Sequence, residues 1–286
     1  MHLGFVYTRI REDEKLLLNE LRERGHDVVK IDASRMGFGL EGPYPPDTFE
    51  GVELAYNRCL ESSRVRYVSR FLTHYDVPVV NGPEPTWVCA DKVRGSLALQ
   101  KAGVPTPRTE IAFSVEAALE TCDRFGYPCV LKPVTGSWGR LIARLDTRAA
   151  AEAVLEHKDV LGGYEHKVFY IQEFVEKPDR DIRVLAAEGE PIAAMTRSSG
   201  HWITNAARGG SVEAFEVTGE VRHLVEEASK AVGGGLLGVD LMETETGYTV
   251  HEVNATCEFK ALNAATPEVD VPARIVDWLE ASAKTV

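Results

Sequence analysis

Residues 236 to 253 have the pattern of a β-hairpin with an acid set into its first strand. Residues 236 to 242 are apolar except for Asp240, residues 243 to 247 form a polar turn that ends in glycine, and residues 248 to 253 alternate as a partner strand does. Alternation on either side of a short polar turn is typical of two paired antiparallel strands. The sequence therefore predicts a hairpin at this point of the chain.

Three oxygen-bearing side chains of this hairpin are expected to lie close together. Asp240 falls opposite the end of the second strand, and Glu252 and Asn254, two residues apart, point to the same face of it. Such oxygens suit Mg²⁺, which takes one or two carboxylates and completes its shell with waters and substrate phosphates. We predict that Asp240, Glu252 and Asn254 bind a metal beside a nucleotide. The alternative is an edge hairpin with solvated acids.

The composition of the chain restricts its class. It has 286 residues, 44% of them hydrophobic, which is enough for two or three compact units. We expect no signal peptide and no membrane span, because apolar runs of the required length do not occur. The net charge of -12 argues against a nucleic-acid binder, since phosphate contacts need a basic surface. Five cysteines without a CxxC pair predict reduced thiols in a cytoplasmic protein.

Strand-like and helix-like segments alternate through the first 81 residues. The strands are expected at residues 2–8, 27–31, 52–58 and 78–81, and the helices at residues 12–24 and 63–75. This alternation predicts a small parallel α/β sheet. Residues 81–85 have the composition of a turn-rich break, where the first domain boundary is expected.

The rest of the chain is predicted to mix helices and strands in two further domains. Helices are expected at residues 91–102, after an N-cap at Ser114, and at residues 220–232 and 271–283; strands are expected at residues 127–133, 168–175, 181–187 and 191–196. The predicted domains are residues 1–83, 84–174 and 175–286.

Two lysines accompany a loop that is suited to phosphates. Lys132 ends a predicted strand and precedes residues 133–140, a loop that contains Gly136 and Gly139. Such a loop can close over phosphates with its backbone N–H groups while the lysine supplies charge; the alternative is an ordinary flexible loop. It is neither a Walker A loop nor a GxGxxG fingerprint. Lys92 opens a predicted helix, where a cation is unfavourable unless it serves an anion; the alternative is a solvated lysine.

Residues 170–176 have the features of a nucleoside site. An adenine needs apolar walls and backbone hydrogen bonds, and a ribose needs a carboxylate, all of which this strand and its acidic end can offer. Arg197 and residues 204–210, which include Arg208, could clamp phosphate or carboxylate oxygens. The alternatives are an ordinary amphipathic strand and surface arginines in a loop.

In this order, the motifs resemble those of the ATP-grasp superfamily, and within it the RimK-type ligases. The resemblance rests on residues 91–92, 130–140, 172–175, 180–184, 204–210, 238–240 and 252–254. The continuation through residues 252–260, with Thr256 and Glu258-Phe259-Lys260, is similar to the LysX and ArgX carrier-protein ligases of lysine and arginine biosynthesis.

The resemblance implies an ATP-grasp fold, α/β with α+β character in the later domains, after a small parallel N-terminal pre-ATP-grasp domain. It implies ATP, with two Mg²⁺ ions or with Mn²⁺ in their place at Asp240, Glu252 and Asn254. The ATP site implied by the resemblance comprises Lys92, Lys132, Gly136, Ser137, Trp138, Gly139, Gln172, Glu173, Phe174, Val175 and Asp181. The implied catalytic residues are Arg197, Asn205 and Arg208, and the implied substrate residues are Arg183, Glu258, Phe259 and Lys260.

The same resemblance implies an ATP-dependent ligase in the cytoplasm that works as a homo-oligomer. It would join the C-terminal glutamate carboxylate of a small acidic carrier protein, similar to LysW, to the α-amino group of glutamate or α-aminoadipate. An acidic partner calls for a basic cleft, and Arg66 and Arg70 share a helix face, with Arg64 to one side; the alternative is a solvated helix face. A RimK-type glutamate ligase for a ribosomal-protein tail or a cofactor, and a non-catalytic nucleotide-binding protein, are the other candidates.

Overall fold

The fold is built from three sheets and nine helices in the part of the chain that the structure describes. This computed structural model describes residues 1–41, 45–136, 140–163, 167–202, 204 and 210–285. The helices are α1 Glu12–Glu23, α2 Ser62–His74, α3 Pro83–Cys89, α4 Lys92–Lys101, α5 Val115–Phe125, α6 Arg148–Leu161, α7 Gly219–Val232, α8 Lys260–Ala265 and α9 Val271–Thr285. The strands are β1 His2–Tyr7, β2 Asp27–Asp32, β3 Leu54–Arg58, β4 Val79–Val80, β5 Thr109–Ala112, β6 Cys129–Lys132, β7 Ala143–Leu145, β8 Phe169–Glu173, β9 Arg180–Ala187, β10 Glu190–Ser198, β11 Ser211–Ala214, β12 Leu236–Thr244 and β13 Gly247–Asn254.

The first sheet is parallel, in the order β2-β1-β3-β4, as the alternating pattern predicts. Its strands are apolar because helices cover them. Leu3 and Phe5 have no exposed surface and belong to the same core as Leu17 of α1 and Ile275 of α9. The last helix of the chain therefore packs on the first domain.

The second and third sheets are antiparallel and lie on either side of the site described below. Strands β5-β8-β6-β7 form one, against which α5 and α6 pack, and strands β11-β10-β9-β12-β13 form the other, with α7 against it. The N-cap predicted at Ser114 is confirmed, since its side chain accepts from Ala117 N. The helix expected from residue 91 begins at Lys92, and Asp91 caps it by accepting from Val93 N.

The hairpin prediction is confirmed as β12 and β13. Asp240 lies opposite Glu252, and Gly238 lies opposite Asn254. The pairing skips His251, because Leu241 pairs with Val250. The extra residue makes a β-bulge, which allows His251 and Glu252 to approach the same cavity although they are adjacent in the chain.

The turn-rich break expected at residues 81–85 is in part a helix. Residues Pro83–Cys89 form α3, because a proline at the first helical position loses no hydrogen bond and already has a helical φ. Asn81 precedes it and is buried, with its Nδ2 donating to Leu236 O (2.8 Å) and Ala255 O (2.7 Å). Asn81 thus joins the first domain to both ends of the hairpin.

The three sheets fall within the three predicted sequence ranges, and the boundaries at residues 83 and 174 stay predictions. Among the described residues, no helix is long and apolar enough to span a membrane.

Candidate active site

A cavity of about 650 Å³ lies between the three sheets and collects most of the predicted site residues. It is lined by Lys92, Lys132, Gly136, Gln172, Glu173, Phe174, Val175, Asp181, Arg183, Arg197, Asp240, Glu252, Asn254 and Glu258, all predicted from the sequence. These residues come from segments more than a hundred positions apart. Their convergence identifies the cavity as the candidate active site.

The sheet register brings two arginines onto Asp240. Arg183 lies opposite Asp240 across β9 and β12 and makes two bonds to its carboxylate, at 2.7 and 2.6 Å. Arg197 Nη2 lies 3.2 Å from Asp240 Oδ1. Burial alone would raise the pKa of Asp240, but the charges of Arg183 and Arg197 outweigh it and lower that pKa below its usual range. Asp240 is therefore ionised at neutral pH.

Arg197 is fixed in the same way on its other side. Its Nε donates to Asp181 Oδ1 at 2.6 Å, because the two residues are paired across β9 and β10. Asp181 Oδ2 accepts from the Thr204 hydroxyl at 2.6 Å. Both oxygens of Asp181 are thus occupied in orienting its neighbours, and Arg197 is held rigidly against the cavity.

Lys92 connects the hairpin to the start of the phosphate loop. Its Nζ donates to Glu252 Oε1 at 2.8 Å and to Gly136 O at 3.1 Å, and its backbone N donates to Val134 O at 2.9 Å. A cation at the first position of a helix is unfavourable because of the helix dipole, and here the carboxylate of Glu252 compensates for the charge of Lys92. The lysine stands where a phosphate between loop and hairpin would meet it.

Lys132 is the buried cation of the cavity. Its Nζ donates to Gln172 Oε1 at 2.5 Å and lies 3.3 Å from His251 Nε2. Burial lowers the pKa of Lys132 to about 7, although the nearby Glu252 carboxylate opposes the shift. Burial and the Lys132 charge also lower the pKa of His251 well below its ordinary value, so its ring is neutral.

An aromatic and apolar wall forms another part of the cavity lining. Phe174 and Trp202 have ring centroids 6.2 Å apart, and Val175 and Met242 also line this part of the site. Glu173 is the last residue of the buried strand β8, and its Oε1 accepts from Arg108 N at 2.7 Å. Flat apolar surfaces next to a carboxylate and backbone groups suit a purine nucleoside.

The predicted metal ligands fit an ion that is only partly coordinated by protein. Asp240 and Glu252 supply carboxylates, and the Asn254 side chain is buried at Nδ2 without a hydrogen-bond partner. An amide can turn to present its oxygen instead. The described part of the chain has no group of three His, Cys, Asp or Glu side chains that could hold a metal alone. Two carboxylates and an amide are a donor set for Mg²⁺ that phosphates and water complete.

The predicted substrate residues 258 to 260 diverge in the structure. Glu258 lines the cavity and forms an ion pair with Arg11. Phe259 is 1% exposed and packs in the hydrophobic core with Leu262, so it contacts no substrate space. Lys260 is exposed at the first position of α8 and is not among the residues that line the cavity. Because α8 begins at Lys260, this lysine lies away from the cavity that Glu258 lines.

Five predicted residues lie outside the residues that the structure describes. They are Ser137, Trp138 and Gly139, predicted for the phosphate loop, and Asn205 and Arg208, between β10 and β11 in the sequence. Their roles stay predictions.

Sequence reasoning missed a group of charged residues that the first domain contributes. Arg11 lines the cavity, and its Nε and Nη2 bond Glu14 at 2.9 Å. Glu14 also accepts from buried Arg58, whose Nη1 donates to Cys257 O at 3.0 Å. No sequence pattern indicates these contacts, since they join α1, β3 and the loop after β13. His251 was missed as well, because only the bulge turns it inward.

The chain matches known families along almost its whole length. Residues 3–88 match the LysX preATP-grasp domain, and residues 89–279 match the RimK-like ATP-grasp domain. The alpha-aminoadipate–LysW ligase LysX of Sulfurisphaera tokodaii is 32% identical over 91% of this chain and 92% of its own. The glutamate–LysW ligase ArgX of Sulfolobus acidocaldarius is 29% identical over 98% of each chain.

A solved structure shares the complete fold. The RimK domain ATP-grasp protein of Sphaerobacter thermophilus superimposes with a TM-score of 0.81 at 25% identity, covering 97% of this chain and 99% of its own. Fold and cavity thus define an ATP-grasp ligase, a class of enzymes that binds ATP. The chain belongs to the RimK-like ATP-grasp family, and the resemblance and the fold class inferred from the sequence are both confirmed.

Proposed function

We propose that this protein is an ATP-dependent ligase that joins the C-terminal glutamate carboxylate of a small acidic carrier, LysW in its relatives, to the α-amino group of glutamate or α-aminoadipate. The observation that carries the proposal is one cavity in which four cations, Lys92, Lys132, Arg183 and Arg197, meet the carboxylates of Asp240 and Glu252. The names of the LysX and ArgX relatives, which match over most of the chain, support the choice of substrates.

The cavity favours positioning and charge neutralisation over a covalent enzyme intermediate. Cys89 lines it, but burial raises the pKa of that thiol, so it is protonated and a poor nucleophile. Lysines and arginines around acids are instead the groups that phosphoryl transfer requires.

The proposed reaction has two steps. A carboxylate oxygen of the carrier attacks the γ-phosphorus of ATP, and the bond between this phosphorus and the oxygen that bridges it to the β-phosphate breaks. ADP is released, and the carrier bears an acyl phosphate. The α-ammonium group then loses a proton to solvent, and the uncharged amine attacks the acyl carbon. Inorganic phosphate leaves and takes up the second proton that the nitrogen loses as the amide forms. Each step moves negative charge onto phosphate oxygens, which cations must stabilise.

The residues of this chain have separate tasks in these steps. Lys132 and Lys92 bind phosphate oxygens, one from the buried floor and one beside the phosphate loop. Arg197, held by Asp181, and Arg183, held by Asp240, face the γ-phosphate and the acyl phosphate. Phe174, next to Trp202, packs against the adenine.

Asp240, Glu252 and Asn254 would hold Mg²⁺. When bound, the metal neutralises charge on the ATP phosphates that would otherwise repel the attacking carboxylate.

Glu258 is the proposed ligand for the ammonium group of the incoming amino acid. It lies on the cavity wall, half-exposed, on the loop that follows the proposed metal strand. Its ion pair with Arg11 orients the carboxylate from the first domain. The proposed location is the cytoplasm, consistent with five free cysteines.

A ligation assay tests the proposal. The protein is incubated with ATP, Mg²⁺, LysW and either glutamate or α-aminoadipate, and the intact mass of LysW is measured. We expect a mass gain of one amino-acid residue with one of the two amines, matched by ADP. LysW without its terminal glutamate is the control and should stay unmodified. ADP formation without a mass gain with either amine would refute the proposed substrates.

A further inference from the structure

Helix α2 carries an unusual concentration of positive charge for this chain. The chain has a net charge of -12, yet residues Ser62–His74 include Arg64, Arg66, Arg70 and His74 and not one acid. Arg64 is paired with Glu61, just before the helix. Arg70 is exposed and has no ion-pair partner in the described ranges.

The exposed face of α2 connects the active site to a second cavity. Ser63, in its first turn, lines the active site. Tyr67, Arg70 and His74, farther along, line a separate open cavity of about 500 Å³. From Ser63 to His74 the helix rises about 16 Å at 1.5 Å per residue. The two cavities are therefore the two ends of one short basic track.

The residues of the second cavity combine apolar surface with positive charge. Leu40 is 81% exposed and Tyr67 is 56% exposed, and they lie beside Phe71, which stacks on Phe38 at 4.8 Å. Among the described residues that line this cavity, none is acidic. Exposed apolar side chains with cations at their rim are typical of a protein-binding site.

Stacking fixes two further arginines near the active-site end of the track. The guanidinium groups of Arg66 and Arg94 lie over the Trp87 ring, 5.0 and 5.1 Å from its centroid. Trp87 belongs to α3, whose Thr86 and Cys89 line the active site. An arginine held in place by an aromatic ring loses little side-chain entropy on binding a carboxylate.

We propose that the outer face of α2 is the docking track for the acidic carrier, an inference that rests on the proposed function. An apolar side chain of the carrier occupies the cavity at Leu40 and Tyr67. The acidic tail then follows Arg70 and Arg66 to the active site, where the terminal carboxylate meets ATP. About five extended residues cover this distance at roughly 3.3 Å each. The track concentrates positive charge where an otherwise acidic enzyme must bind an acidic partner.

A charge reversal at Arg70 tests the track. Arg70→Glu is compared with Arg70→Lys and with the control Arg222→Glu, which makes the same charge change at an exposed, ion-paired arginine of α7. Binding of a fluorescein-labelled poly-glutamate peptide of about ten residues, long enough to cover the track, is measured by anisotropy without ATP. The Michaelis constants for LysW and ATP are measured beside it.

We expect Arg70→Glu to weaken peptide binding and raise the KM for LysW about tenfold at low salt, with kcat and the KM for ATP unchanged. Arg70→Lys should retain most of the affinity, Arg222→Glu should behave as wild type, and high salt should reduce the difference. Three results would overturn the track: equal binding of the peptide by wild type and Arg70→Glu, a loss of peptide affinity in Arg222→Glu as large as that in Arg70→Glu, or no binding of the peptide by wild type. Arg70-dependent binding without any amide formation would instead refute the proposed function and leave the track standing.

Discussion

Lys132 shows at the scale of one residue how burial prepares a charge for a ligand. With its pKa near 7, the ammonium group loses its proton as the pH rises from 6 to 8 in the free protein. A bound phosphate favours the charged form and raises that pKa again. Binding of ATP should therefore take up protons at pH 8, and affinity should fall as the pH rises above 7.

Isothermal titration calorimetry checks this first prediction. ATP is titrated at pH 8 in buffers that differ in ionisation enthalpy, and the slope gives the number of protons taken up. We expect a fraction of a proton for wild type and none for Lys132→Arg, because arginine stays charged. A slope of zero in both proteins would remove Lys132 from the phosphate site.

Glu252 gives the second prediction. Glu252→Gln keeps the size of the side chain and a bond to Lys92 but removes a negative charge from the proposed metal site. We expect ligase activity to fall about 10³-fold while the melting temperature changes little, since a metal ligand contributes to charge neutralisation rather than to the core. Wild-type turnover at ordinary Mg²⁺ would show that the metal is held elsewhere.

Asp240 is a poorer choice for this test. It is buried between Arg183 and Arg197, so Asp240→Asn leaves a partly buried and a buried guanidinium group short of negative charge. Breaking such a cluster is expected to cost about 3 to 5 kcal/mol of stability. A loss of activity in that variant would not separate metal binding from folding.

At the scale of elements, the start of α4 controls the phosphate loop. Lys92 bonds to both Val134 O and Gly136 O, so the helix and the loop meet at one residue. The third prediction is that ATP with Mg²⁺ slows hydrogen exchange in residues 134–140, because a loop closed over phosphates is protected. The α5 helix, away from the cavity, is the internal control. The same exchange with and without the nucleotide would speak against a phosphate-covering loop.

The hairpin shows how far sequence patterns reach. Alternation and a polar turn were enough to place β12 against β13 and Asp240 opposite the end of the second strand, because these are local properties of the chain. The structure shows that the residue opposite Asp240 is Glu252. The bulge at His251 could not be predicted, since a single unpaired residue leaves no periodic signal in the sequence. Helix α3 was missed because proline and glycine are typical both of turns and of helix starts.

The candidate site was predictable in so far as its residues follow family motifs. Glu252 was found from the hairpin pattern, and Lys92 and Lys132 from the helix start and the glycine loop; the resemblance gave them roles, and all three line one cavity. Arg11, Glu14 and Arg58 were not, because a cluster that joins segments far apart in the chain appears only when they pack together. Phe259 was assigned to the substrate from its position in a motif, but its burial shows that it serves the core.

At the scale of the molecule, a buried ion pair joins the first domain to the active-site wall. Arg58 and Glu14 are almost fully buried, and Arg58 also donates to Cys257 O just before Glu258. Burial would raise the pKa of Glu14, but bonds from Arg11 and Arg58 lower it below its usual value. Glu14 thus has a lower pKa in the folded protein than in the unfolded chain. Its ion pairs therefore stabilise the fold fully at a pH above the pKa of the unfolded chain. This stabilisation is lost as the pH falls through the pKa of Glu14 in the folded protein.

The fourth prediction concerns this buried ion pair of Arg58 and Glu14, the joint between the first domain and the active-site wall. Arg58→Met should reduce the free energy of unfolding at pH 7 by about 3 to 5 kcal/mol, because Glu14 is left buried with one cation fewer. Denaturant unfolding at pH 7 and pH 4 measures it, and Arg274→Met, at an exposed arginine of α9, is the control. The difference in the free energy of unfolding between wild type and Arg58→Met should be smaller at pH 4 than at pH 7. A loss below about 1 kcal/mol at pH 7 would mean that the joint is held by packing alone.

If the reaction passes through an acyl phosphate, one oxygen of the substrate carboxylate is carried away by phosphate. LysW whose terminal glutamate carboxylates are labelled with ¹⁸O is ligated by the enzyme with unlabelled ATP, and the inorganic phosphate is analysed by mass spectrometry. The acyl-phosphate route predicts one labelled oxygen in the phosphate for each amide formed, with ADP as the other product. Amide formation with unlabelled phosphate, or with AMP in place of ADP, would rule out the acyl-phosphate route.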